Sequence, residues 1–212
     1  MPPKALLICD LDSQIYGAIP FARSFKRHGW EVIIAIDNMR DVPPSLLLRL
    51  IQEFETLELP LKYAPIGDFC VNFDAIGVFT TGSKLHRFRK DFFVSTKLRA
   101  KKRSPLFTTF NGVILDKFEE GLAWRLGYDV ICLNGPRDQE LFDRFVAFSE
   151  YSNQRVIITG LARGEAPSQK EQTSLPSDRR LMVFAEQVAI PAKPEERQYL
   201  FDRLNDVAFS NP

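Results

Sequence analysis

Short, continuously apolar runs recur along this chain: ALLIC, EVIIAI, AIGVFTT, PLFTTF, DVICLN, RVIITG and LMVFA. Runs of this kind, rich in Val, Ile and Phe, suit strands buried on both faces of a parallel sheet. Amphipathic segments lie between them. Ile19, Ala22, Phe25 and Lys26 fall at helical spacing ahead of a stop at His28-Gly29, and Leu141, Phe142, Phe145 and Phe148 give a second apolar stripe. Regular alternation of strand and helix predicts an α/β fold, a Rossmann-like, doubly wound and mostly parallel sheet with right-handed crossovers. Ligands of such sheets bind outside the carboxyl ends of the strands, so those ends are where functional residues are sought.

The alternation holds through residues 1–161. Residues 162–179, ARGEAPSQKEQTSLPSDR, are polar, carry Gly, Pro and Ser, lack periodicity and read as a linker. Residues 180–212 offer one strand, RLMVFAEQVAIP, and one helix, PEERQYLFDRLNDVAF, with Pro194 near its start and two glutamates in its first turn. A lone strand and helix make no core of their own. They either add to the first sheet or open a second, truncated Rossmann-like domain, and the second is the expectation.

A net charge of +1, with 45% hydrophobic and 26% charged residues, gives no global push toward nucleic acid. No secretory signal and no run near the roughly 20 apolar residues of a membrane span is present, which predicts a cytoplasmic protein. Cys9, Cys70 and Cys132 lack metal-type spacing and read as buried thiols. His28 and His86 have no partner at zinc-ligand spacing, so no metal is expected.

Several strand ends carry polar residues. The first ends in ICDLDS: Asp10 and Asp12 would share a face if the strand continued, and would serve as a base, a nucleophile or a cation site. Asp12 and Ser13 are equally good helix caps. AIGVFTTGSKL brings Thr80, Thr81, Gly82 and Ser83 to a helix start, a setting for a phosphate or a sugar hydroxyl. Lys84 to Arg103 then carries nine cations, Lys84, Arg87, Arg89 and Lys90 among them, against the single acid Asp91. That patch is either a solvated face or a surface for an anionic partner, with Phe88, Phe92 and Phe93 facing the core or a membrane. Nucleic acid fits less well, since no recognised binding motif accompanies it.

The densest stretch is FTTFNGVILDKFEEGLAWRLGYDVICLNGPRD. Asn111-Gly112 ends a strand, and Asn134, Gly135, Pro136 and Arg137 end the next. Between them Glu119 and Glu120 precede Gly121. Adjacent helical residues diverge by about 100°, so at most one of the two glutamates faces a cleft fully while the other complements the helix dipole.

The order of these features resembles glycosyltransferases of GT-B architecture, in which two Rossmann-like domains face each other across a cleft. More narrowly it is similar to a bacterial glycosyltransferase group whose members begin with a strand ending in D-x-D-S, here Asp10, Asp12 and Ser13. They continue through an N-G-P strand end, here Asn134, Gly135 and Pro136, and open a second domain with segments like VFAEQVAIP and PEERQYLFDRL. Glu119-Glu120-Gly121 also resembles the acidic pair and Gly of bacterial sialyl- and polysialyltransferases, although their His-Pro motif is missing here. The resemblance implies that residues 1–161 are an acceptor-side domain and that 180–212 begin a donor-side one. It implies Glu119 or Glu120 as catalytic base, with Asp10 second, and a nucleotide-sugar as co-substrate rather than any tightly bound cofactor. Asp12, Ser13, Thr80, Thr81, Gly82, Asn111, Gly112, Asn134, Gly135 and Arg137 would contact substrate. The acceptor would be a cell-surface glycan or lipid-linked, held at the inner membrane's cytoplasmic face by the basic helix, and the chain alone would be a poor catalyst.

Two other readings compete. ICDLDS also resembles the first motif of haloacid-dehalogenase-type phosphatases, with Asp10 as nucleophile and Asp12 as acid/base, but no later strand ends in the acidic pair that would hold Mg²⁺. A non-catalytic anion-binding module would need only the basic helix.

Overall fold

In the computed structural model, residues 1–10, 12–60, 72–80, 82–98, 103–110, 118–160 and 202 are described. The chain divides into two compact units, Met1–Glu165 and Ala166–Pro212. The first contains strands β1 (Lys4–Cys9), β2 (Glu31–Ile36), β3 (Glu55–Glu58), β4 (Ala75–Val78), β5 (Leu106–Thr109), β6 (Val130–Leu133) and β7 (Val156–Ile158). Its helices are α1 (Asp12–Arg27), α2 (Pro44–Glu53), α3 (Ser83–Leu98), α4 (Phe118–Arg125) and α5 (Pro136–Val146). All strand pairings are parallel, in the order β3-β2-β1-β4-β5-β6-β7. The sheet grows outward from β1 in one direction and then, from β4, in the other. This reversal leaves a switch point between β1 and β4, where the crevice of a doubly wound sheet forms.

The predicted runs from ALLIC to RVIITG are strands, and the sheet is wholly parallel. LMVFA lies outside the described residues. The central strands are buried on both faces. Ala5, Leu7 and Cys9 pack against Ile15, Ala18, Ile19 and Ala22 of α1 and Leu46 and Leu50 of α2. Leu6, Ile8, Ile76 and Val78 pack on the other face with Leu85, Phe88 and Phe92 of α3, Leu122 of α4 and Phe142 and Val146 of α5. The period-two alternation of each strand thus feeds two separate core layers.

Two details differ from the sequence expectations. The apolar stripe of α5 is Phe142 and Val146 with Leu141 packed beside them, while Phe145 is exposed and Phe148, beyond the helix end, is fully so. The short strand β3, ETLE, was not anticipated, because an edge strand with exposed glutamates carries no continuous apolar signal.

Candidate functional site

Three adjacent strand ends meet at the switch point. The β1–β2 pairing continues past the strands through a bond from Asp37 N–H to the Cys9 carbonyl at 2.9 Å, and the β1–β4 pairing through Phe79 N–H to the Ile8 carbonyl at 2.8 Å. Asp10 and Asp37 therefore follow directly on β1 and β2, and Thr80 follows β4 one residue later, past Phe79. Beyond Thr80, Gly82 adopts φ +55, and no atom lies within 4 Å of where its Cβ would stand, so the glycine serves the backbone turn rather than a tight fit. That turn starts α3 and places Lys84 in its first turn.

Lys84 closes the arrangement. Its Nζ lies 2.8 Å from Asp10 Oδ2 and 3.4 Å from Asp37 Oδ2. The bond to Asp10 raises the Lys84 pKa above its ordinary value, with Asp37 adding to the effect. Asp10 is 6% exposed and Thr80 is wholly buried. Among the described residues, Asp10 Oδ1 and Thr80 Oγ1 each lack a hydrogen-bond partner. Buried polar groups are nearly always paired, so two such atoms on neighbouring strand ends mark this place.

Asp12 is the first residue of α1, so it does not continue the strand alternation that would have aligned it with Asp10; its side chain lies outside the described residues. Ser13 is part-buried and its Oγ donates to Gln14 Oε1 at 3.1 Å. Thr81, Asn111 and Gly112 lie outside the described residues. Glu119 and Glu120 occupy the first turn of α4 and are both exposed, as first-turn acids complementing the helix dipole would be. Gly135 is the N-cap of α5 with Pro136 at its first position, and Asp138 Oδ2 accepts from Asn134 N–H at 3.2 Å, so this strand end is shaped by helix initiation. Arg137 is exposed.

Among the described residues of the basic stretch, some cations have partners within the fold. Lys84 is held by two carboxylates, and Arg103, beyond the end of α3, makes a forked pair with Asp129 at 2.5 and 2.6 Å while its guanidinium lies 4.5 Å from the Phe93 ring centre. Arg89 is within 3.4 Å of His86 Nδ1 and lies against Gly127. Arg87 and Lys90 are exposed. Phe88 and Phe92 are core residues; each such burial is worth about 1.5–3 kcal/mol, which turning this face to a lipid surface would forfeit. Among the described residues, no helix is long and apolar enough to cross a membrane.

Sequence reasoning missed Asp37 and placed Lys84 in the wrong setting. An acid directly after EVIIAI, parallel to the one directly after ALLIC, was the available signal for Asp37. It also missed Arg125, which is buried at the end of α4. Its Nε donates to the Thr109 carbonyl at 3.1 Å, its Nη1 to the Gly121 carbonyl at 2.7 Å, and its guanidinium lies 4.1 Å from the Phe110 ring centre. Burial pushes its pKa down to about 10. Arg125 ties α4, which carries the two glutamates, to the end of β5. Cys9 and Cys132 are buried thiols whose pKa values burial raises, that of Cys132 to about 12.

No curated protein matches the chain. Similar solved structures include MurG from Acinetobacter baumannii, at 13% identity and TM-score 0.40, covering 64% of this chain and 42% of that one. Another is UGT89C1 of Arabidopsis thaliana complexed with UDP-L-rhamnose, at 14% identity and TM-score 0.49, covering 91% and 54%. The chain thus spans about half the length of these two proteins. Residues 66–212, more than two-thirds of the chain, match the family described as "Putative glycosyltransferase (DUF6716)", and the chain belongs to that family.

Proposed function

We propose that residues 1–161 form the acceptor-side domain of a GT-B glycosyltransferase that moves a sugar from a nucleotide-sugar to a glycan or lipid-linked acceptor. Residues 162–179 serve as the linker on this reading, and residues 180–212 begin the donor-side domain. Family membership over residues 66–212 supports the reaction class. The observation that carries the site is Asp10, a buried carboxylate at the switch point with one oxygen held by Lys84 and the other without a partner among the described residues.

An acceptor hydroxyl is a poor nucleophile near neutral pH, and a positioned base that removes its proton accelerates attack by about 10² to 10⁴. Asp10 Oδ1 accepts that proton as the hydroxyl oxygen bonds to the anomeric carbon. The bond from that carbon to the nucleotide's phosphate oxygen breaks, and the nucleotide leaves with the bonding pair. Lys84, 2.8 Å from the other Asp10 oxygen, fixes the orientation of the carboxylate. Glu119 and Glu120, exposed at the start of α4, become the second choice for the base, with an alternative role in drawing the acceptor toward the cleft.

The nucleotide-sugar is held mainly by the donor-side domain on this reading, so the natural full-length protein is the one to assay. UDP-, GDP- and CMP-linked sugars are supplied with membrane and capsule glycan extracts, and nucleotide release is followed. Acceptor-dependent release from one donor class is expected. Release from none, together with Mg²⁺-dependent hydrolysis of a phosphomonoester that Asp10→Asn abolishes, would move the protein to the phosphatase class.

A further inference from the structure

We infer that Asp10 Oδ1 and Thr80 Oγ1 together form a two-point subsite for the hydroxyl groups of a sugar ring and not for a phosphate, an inference that rests on the acceptor-side reading above. In the β1–β4 register Ile8 faces Val78, and pairing continues through Phe79 N–H to the Ile8 carbonyl. Both strands end before the next pleat, at Cys9 and Val78, and Asp10 and Thr80 are each the second residue past the Ile8–Val78 pair. Ile8 and Val78 belong to one core layer, as do Leu85 and Phe88 of α3. Carrying the alternation by two past the strand ends would return both residues to that face, and for Asp10 the contact with Lys84 of α3 agrees.

Both residues are more than nine-tenths buried, and neither Oδ1 nor Oγ1 has a partner among the described residues. An unpaired buried polar atom destabilises a fold, and two on adjacent strands are retained where a ligand completes them. Charge selects the ligand. Among the described residues, the two carboxylates outnumber the one ammonium that bridges them, a balance that disfavours phosphate. A carboxylate oxygen accepts only, whereas a threonine hydroxyl both donates and accepts. Neighbouring sugar hydroxyls satisfy that combination: one donates to Asp10 Oδ1, the other exchanges a hydrogen bond with Thr80.

The test compares wild type, Thr80→Val and Thr80→Ser in two measurements. In thermal unfolding of the ligand-free protein, Thr80→Val, which keeps the side chain's shape and removes the hydroxyl, is expected to raise Tm by about 3 °C. Amide-resolved NMR titration then uses glucose, galactose, N-acetylglucosamine and inorganic phosphate as probes. At least one sugar should shift the Asp10 and Thr80 amides in wild type and Thr80→Ser, with at least tenfold weaker binding in Thr80→Val, and phosphate should shift neither. A lowered Tm in Thr80→Val would show that the hydroxyl is already bonded within the folded protein and would overturn the subsite. So would phosphate binding at these amides, sugar binding indifferent to the valine, or no sugar binding. Thr80-dependent sugar binding without any transfer would leave the subsite standing and remove the transferase reading.

Discussion

Lys84 and Asp10 meet at 2.8 Å, and this contact ties the first turn of α3 to the end of β1 beside the switch point. Asp10 is the buried partner and Lys84 the more open one, so removing the cation strands a buried carboxylate, whereas removing both charges does not. Lys84→Met should lower unfolding free energy by about 2 kcal/mol, and Asp10→Asn combined with Lys84→Met by less than the sum of the two single changes. Urea denaturation measures both. A Lys84→Met protein as stable as wild type would show that the pair is not maintained in solution.

A second ion pair sets the acid behaviour. Arg23 of α1 grips Glu53 of α2 at 2.6 and 2.9 Å, and this hydrogen bonding holds the Glu53 pKa below its ordinary 4.5. A lowered carboxylate pKa contributes stability above the unfolded value and loses it as pH falls through the folded one. Glu53→Gln should therefore cost about 1 kcal/mol at neutral pH and flatten the decline in stability below about pH 4.5. Denaturation midpoints across the acid range check the slope.

Gly77 in β4 faces two rings. A Cβ there would stand 2.8 Å from both Phe79 Cε2 and Phe107 Cε2, inside contact distance. Gly77→Ala should destabilise by about 1–3 kcal/mol through overpacking, with Phe107→Leu in the same chain restoring part of the loss. Equal stability of Gly77→Ala and wild type would mean that the rings move aside freely.

Glu119 and Glu120 are exposed, so Glu119→Gln and Glu120→Gln should each change stability by less than about 0.5 kcal/mol. Sugar transfer should fall less than tenfold in either variant. A loss of about 10² or more in one of them would return the base to that glutamate.

Much of this molecule was legible in its sequence, for identifiable reasons. ALLIC, EVIIAI and DVICLN are buried on both faces, so local composition alone marks them as strands. Glu55–Glu58 sits at the sheet edge, where polar residues are tolerated, and its composition gives no sign of pairing. Asp10 and Thr80 could be placed at strand ends from the pattern. Their being neighbours depended on strand order, since β4 returns to lie beside β1 across more than 60 residues of chain. Lys84 shows the same limit: its charge was visible, but helical periodicity does not say which turn meets two carboxylates from other strands.

The most direct measurement is the rate of sugar transfer by Asp10→Asn in the natural full-length protein, with its fold verified by circular dichroism and urea denaturation. The account predicts a properly folded enzyme whose kcat falls by about 10² to 10⁴. A folded Asp10→Asn protein that transfers sugar at the wild-type rate would contradict it.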